Sequence, residues 1–249
     1  GSPMNAIEEN QFVRGFREIS KKIPTPNAIL CISAHWFTKG TFVTSGEIQK
    51  TIHDFYGFPP ELFAVEYPAK GNPELAKETA ELLAPTSVIE TESWGLDHGA
   101  WSVIRHLYPE AQIPVIQISI DYTQPAQYHF DLAKKLQKLR EKGILIIGSG
   151  NVVHNLRMID WKNINTVGAG WDWAIEARAK TNEWILDGNF QNLIHFEKQG
   201  TALQNAIPTP DHYLPLIYTL GLKEKSEEIS LFNDELIGGS LSMTSVKVG

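Results

Sequence analysis

Cysteine is nearly absent: Cys31 stands alone among 249 residues. One thiol excludes an intrachain disulfide and a cysteine-based zinc cluster. Basic charge is scarce too. Only 22 Lys and Arg face 29 Asp and Glu, for a formal net charge of −7, which argues against a partner held through its phosphate backbone. No apolar run approaches the roughly 20 residues that span a bilayer. The first residues lack the basic-then-apolar order of a secretory leader. The expectation is a cytoplasmic protein with neither nucleic acid nor membrane as partner. Compact metal signatures such as HxH, HExxH and HxxxH are missing as well. What the chain has in quantity is histidine (eight) and tryptophan (seven), so any metal chemistry must rest on imidazole and carboxylate.

Hydrophobic residues make up 42% of the chain and charged residues 20%, the balance of a globular domain long enough to bury its own core. Apolar runs alternate with helical periodicities. Asn5 and Glu8 resemble a capping box ahead of a helix over 6–22 that Pro24 ends. Short β-rich runs over 28–33, 41–44, 87–90, 114–120 and 144–148 predict strands. Helices are expected over 73–83, 99–107, 125–142, 171–186 and 189–198, and from Thr209-Pro210 through Leu220, with a β-pair near the C-terminus. Residues 46–72, rich in Gly and Pro, read as a long functional loop. The pattern predicts one α/β domain over 1–249, a central mixed sheet flanked by helices.

The histidines fall at matched places. His35 lies just past the strand 28–33 and His154 just past the strand 144–148. His98 and His212 lie at helix starts. In open α/β sheets, sites form at the carboxyl ends of strands, where these four could converge. His106, His129 and His195 read as ordinary helix-face residues. Imidazole suits Zn, Fe, Ni and Cu. Asp97 and Asp211 sit beside histidines, either as acceptors for ring N–H groups or as helix N-terminal charges. Trp36 and Trp101 are candidates to wall an aromatic pocket, and either Trp171 or Trp173 to line its entrance. Cys31 reads as a small core residue.

Six motifs run in order along essentially the whole chain: Gly1-Ser2-Pro3-Met4-Asn5, Ser33-Ala34-His35-Trp36-Phe37, Ile52-His53-Asp54-Phe55-Tyr56-Gly57-Phe58-Pro59, Gly95-Leu96-Asp97-His98-Gly99-Ala100-Trp101, Gly148-Ser149-Gly150-Asn151-Val152-Val153-His154-Asn155-Leu156 and Pro208-Thr209-Pro210-Asp211-His212-Tyr213-Leu214-Pro215-Leu216. Together they resemble the DOPA 4,5-dioxygenase branch of the class III extradiol ring-cleaving dioxygenases, the LigB-like superfamily. The resemblance implies a LigB-like α/β fold and opening of a catechol ring by O2 with Fe(II). It implies His35, His154 and His212 as metal residues, His98 and His154 as the acid and base, and a loop over the pocket in which His53, Asp54 and Tyr56 meet substrate. In that family the first motif reads Gly-His-Gly-Ser-Pro-Met-Asn and its His binds metal. The resemblance therefore implies a first strand and a first His ligand ahead of Gly1. A site so rich in histidine also suits Zn as the bound metal. Two other readings stand beside it: a non-catalytic binding protein like the Memo proteins of the same superfamily, and a zinc-dependent hydrolase.

Overall fold

The computed structural model describes residues 2–249; Gly1, the first residue of the first motif, lies outside them. Helices α1 (Gln11–Ser20), α2 (Pro60–Phe63), α3 (Pro73–Leu82), α4 (His98–Leu107) and α5 (Ala126–Arg140) alternate with strands β1 (Ala28–Thr38), β2 (Thr41–Thr44), β3 (Val88–Thr91), β4 (Val115–Asp121) and β5 (Ile144–Ser149). Helices α6 (Asp172–Leu186), α7 (Phe190–Ile194), α8 (Thr201–Ala206) and α9 (Leu214–Gly221) follow. Strands β6 (Ile229–Phe232), β7 (Leu236–Ile237), β8 (Leu241–Ser242) and β9 (Ser245–Val248) complete the order.

The strands β1–β5 form one mixed sheet in the order β3-β2-β4-β1-β5. Strands β4, β1 and β5 are parallel, β2 and β3 are parallel to each other, and β2 meets β4 antiparallel. Strand β1 lies inside the sheet, between β4 and β5, and is apolar without alternation because both of its faces are covered. Leu30 and Ile32 enter a core with Ile116, Ile118, Leu136 and Ile217. Ile29 and Cys31 enter a second core with Trp101, Ile104 and Val115. Cys31 is thus a core residue, as its setting in the sequence suggested, and burial pushes its thiol pKa up.

The helix expected over 189–198 is the shorter α7, helices α2 and α8 were not expected, and three further differences bear on the site. Helix α1 starts later, because Asn10 is its cap: the Asn10 side chain accepts from the N–H groups of Phe12 and Val13. The residues around Asn5 form a 3-10 turn instead. Strand β1 runs on to Thr38, so His35 lies within it. Helix α9 begins at Leu214, so His212 sits in the turn before it.

Strand β5 is the sheet edge. Its residues pair with β1 on one side, and on the other they line an apolar groove of about 590 Å³ that also reaches β9 and α1.

Candidate active site

Pairing between β1 and β4 breaks where the site begins. Ile32 faces Ile118 and Phe37 faces Ile120, so Ser33–Trp36 are opposed by Ser119 alone. Irregularities of this kind re-aim side chains beside functional sites. Here the irregularity carries His35. His98 opens α4, capped by the Asp97 side chain accepting from Ala100 N–H. The two rings lie 3.9 Å apart, centroid to centroid.

The close approach is permitted by glycine. A Cβ on Gly99 would lie 2.5 Å from Ser33 Oγ and 2.8 Å from His35 Cδ2. The Gly148-Ser149-Gly150 turn at the end of β5 has the same logic. A Cβ on Gly150 would lie 2.1 Å from the His212 carbonyl, and one on Gly148 would lie 2.4 Å from the Pro215 carbonyl. That turn is therefore the bed on which the Asp211–Pro215 backbone rests. Asn151 N–H donates to the His212 carbonyl at 2.8 Å and fixes it there.

The His212 ring meets His35 edge-on at 5.1 Å. His154, bridged to Leu241 by backbone pairing, stacks on His212 with centroids 3.6 Å apart and planes within 5°. The four histidines singled out in the sequence therefore form one contiguous cluster. A cavity of about 70 Å³ lies beside it, lined by His35, His98, Gly99, Ser149 and His212.

Two carboxylates lie against the rings. Asp54 Oδ2 lies 3.3 Å from His35 Nδ1, and Asp54 Oδ1 lies 3.0 Å from His98 Nδ1. Asp54 Oδ1 also accepts the His98 backbone N–H at 2.8 Å. Asp211 pairs with His212 Nδ1. Burial would raise both carboxyl pKa values, but the histidine contacts outweigh it and hold both below the usual range. His35 and His154 are held neutral, each pushed down to about 3, chiefly by burial and then by neighbouring histidines. His35, Asp54 and His98 each offer a donor atom within 4.8 Å of the others, a grouping able to hold a metal ion.

The remaining candidates are placed elsewhere. His53 Nε2 donates to the Val65 carbonyl at 2.9 Å, and its ring packs against Phe55, Phe63 and Trp101. Tyr56 is 91% exposed. Neither lines the cavity. Asp54, from the same segment, sits between two rings, and no local pattern around it signals that. Asp97 caps its helix and contacts no ring nitrogen, whereas Asp211 contacts one. Trp36 stacks on Trp94 at 5.6 Å, and Trp101 is fully buried with its N–H on the Ile52 carbonyl. Neither walls the cavity. Trp171 donates to the Met158 carbonyl, and Trp173 packs against the main core. His106 and His129 are buried and hydrogen-bonded to Asn5 and Tyr218, and His195 is exposed. The C-terminal residues Met243, Thr244 and Ser245 also line the cavity, and their sequence carries no periodicity that would show it.

Residues 2–241 match the family model described as the catalytic LigB subunit of aromatic ring-opening dioxygenase. The chain is 44% identical to a 4,5-DOPA dioxygenase extradiol of Escherichia coli K12, over 100% of this chain and 92% of that protein. It is 35% identical to a 4,5-DOPA dioxygenase extradiol of Beta vulgaris, over 99% of this chain and 93% of that one. The crystal structure of an uncharacterized Escherichia coli K12 protein superposes with a TM-score of 0.84 at 39% identity, covering 100% of this chain and 96% of that chain.

Proposed function

The chain belongs to the LigB family of aromatic ring-opening dioxygenases, and from that premise we propose that it opens the ring of DOPA or a related catechol at an Fe(II) centre held by His35 and His212. It is an extradiol dioxygenase, an oxidoreductase whose substrates are a small aromatic molecule and O2. The observation that carries the finer reading is the pairing of carboxylates with ring Nδ1 atoms. Asp54 Oδ2 lies 3.3 Å from Nδ1 of His35 and Asp211 accepts from Nδ1 of His212, which would leave each Nε2 to bind metal. Metal-bound histidines almost always give their other ring nitrogen to a carboxylate or carbonyl in this way. Imidazole donors suit Fe(II) and Zn alike, so the same site accepts Zn as an inactive occupant.

Bound Fe(II) would couple triplet O2 to a closed-shell catechol, a reaction that side chains alone do not promote. The protein's own task is proton traffic. His212 would hold the metal with His35, and the His154 ring lies flat against His212, with centroids 3.6 Å apart. That geometry suits His154 to acid–base work better than to shared ligation. Neutral in the buried site, His154 accepts a catechol hydroxyl proton, and the negative charge of the catecholate favours the imidazolium that forms. His98, its Nδ1 3.0 Å from Asp54 Oδ1, is the second histidine facing substrate and oxygen, and the proton that His154 has taken returns to the product as the ring opens.

The test is anaerobic reconstitution with Fe(II), addition of DOPA and simple catechols, then admission of air. O2 uptake with a yellow ring-opened product is expected. Uptake with no catechol would remove this reading, and activity only with Zn on an ester or amide would replace it with hydrolysis.

A further inference from the structure

We propose that Asp97 is a positioning residue, a buried carboxylate that sets the spacing of His35 and His98 without touching either ring. The inference rests on the reading that these two histidines belong to the metal and catechol site. Asp97 is 0% exposed. Its Oδ1 accepts the Ser33 hydroxyl at 2.6 Å and the Ala100 N–H at 3.1 Å. Its Oδ2 accepts the Gln117 side-chain amide. Burying a carboxylate is costly unless its lone pairs are satisfied. Here the donors come from β1, α4 and β4, so one group ties three elements together.

Ser33 is the informative partner. It stands at the start of the irregular stretch where β1 leaves β4, and its Oγ accepts the His35 backbone N–H at 3.3 Å. The His35 backbone is thus steadied through Ser33 onto Asp97. The same carboxylate oxygen caps α4, whose first residue is His98. Both histidines therefore depend on one oxygen atom, from opposite sides. Gly99 keeps the interval between them clear, since a Cβ there would meet Ser33 Oγ and His35 Cδ2.

The arrangement separates geometry from charge. The Oε1 of Gln117 is buried without a partner. In Asp97→Asn, an Asn Oδ1 would still accept from Ser33 and Ala100, while the new NH2 group would donate to Gln117 once that amide turns over. Ser33→Ala instead removes the link to β1 and leaves the helix cap whole.

The experiment compares these two variants with the parent, using Co²⁺ titration, thermal unfolding and NMR of the histidine ring carbons in metal-free protein. Ser33→Ala is expected to weaken Co²⁺ binding roughly tenfold and to shift the His35 and His98 ring signals, with little change in unfolding temperature. Asp97→Asn is expected to stay within about threefold of the parent, by the retained acceptor geometry. Parental Co²⁺ affinity with unmoved ring signals in Ser33→Ala would overturn the proposal. So would an Asp97→Asn variant as weak as Ser33→Ala, because the effect would then lie in charge. If the parent neither bound Co²⁺ nor consumed O2 with any catechol, the functional reading would fall, and the ring signals alone would decide the positioning role.

Discussion

Asp211 and Asp54 each turn an imidazole, by different routes. Asp211 is the neighbour of His212 in sequence and reaches its Nδ1 directly. Asp54 comes from a loop 44 residues away from His98 and lies between two rings. The sequence offers the first role as one of two, ring acceptor or helix N-terminal charge, and Asp97, just as close to His98, takes the other. The role of Asp54 was not legible, because the path of residues 46–72 is set by packing and no periodicity encodes it. Replacing Asp211 with Ala should free the His212 ring to rotate. Metal affinity is expected to fall roughly 10–100-fold, the usual cost of losing such a partner, read by competition with a chromogenic chelator. Replacing His154 with Ala should leave metal content close to normal while turnover falls about 10²–10⁴-fold. Loss of metal in that variant would instead make His154 a ligand.

At the scale of elements, the site is a meeting of three ends: the irregular stretch of β1, the first turn of α4, and the turn after β5 on which the residues before α9 lie. The glycines of Gly148-Ser149-Gly150 were visible as a motif, and the structure supplies their reason in the close approach of the His212 and Pro215 carbonyls. Gly150→Ala should therefore cost about 1–3 kcal/mol, the range of core overpacking, measured by urea unfolding. It should also shift His212, measured as weaker metal binding. A variant as stable as the parent would mean that the turn has room to move. The cap of α1 shows where local signals mislead. Asn5 and Asn10 carry the same chemistry, but the Asn5 carbonyl is engaged by His106 and its side chain accepts from Asn10. Tertiary partners thus select between two equal candidates. Strand β1 outruns its apolar run for a related reason: His35 and Thr38 interrupt the run although the backbone continues as strand to Thr38.

For the whole molecule, the buried histidines link fold to pH. His129 lies outside the cluster, fully buried against Tyr218, and burial lowers its pKa to about 4. The unfolded chain binds a proton there at about pH 6.5, so between about 6.5 and 4 the unfolded state holds more protons than the folded one. The stability this residue contributes is complete above about pH 6.5 and falls as pH drops toward 4. His129→Gln should flatten the stability profile in that window, as measured by denaturant midpoints at a series of pH values; an unchanged slope would assign the acid sensitivity to the other histidines. Most of the element order and the α/β plan were legible in the sequence, because alternating apolar runs and helical periodicities are local, while the short helices α2 and α8 carry too few turns to show a period. The sheet order was not, because it depends on which strands meet.

The groove outside β5 and the histidine cavity share Ser149, Gly150, Asn151 and His212 in their linings. The apolar recess and the reactive cavity therefore adjoin along the segment that supports His212. An environment-sensitive dye lodged in the recess would lie against His212, so its emission should shift when metal is loaded.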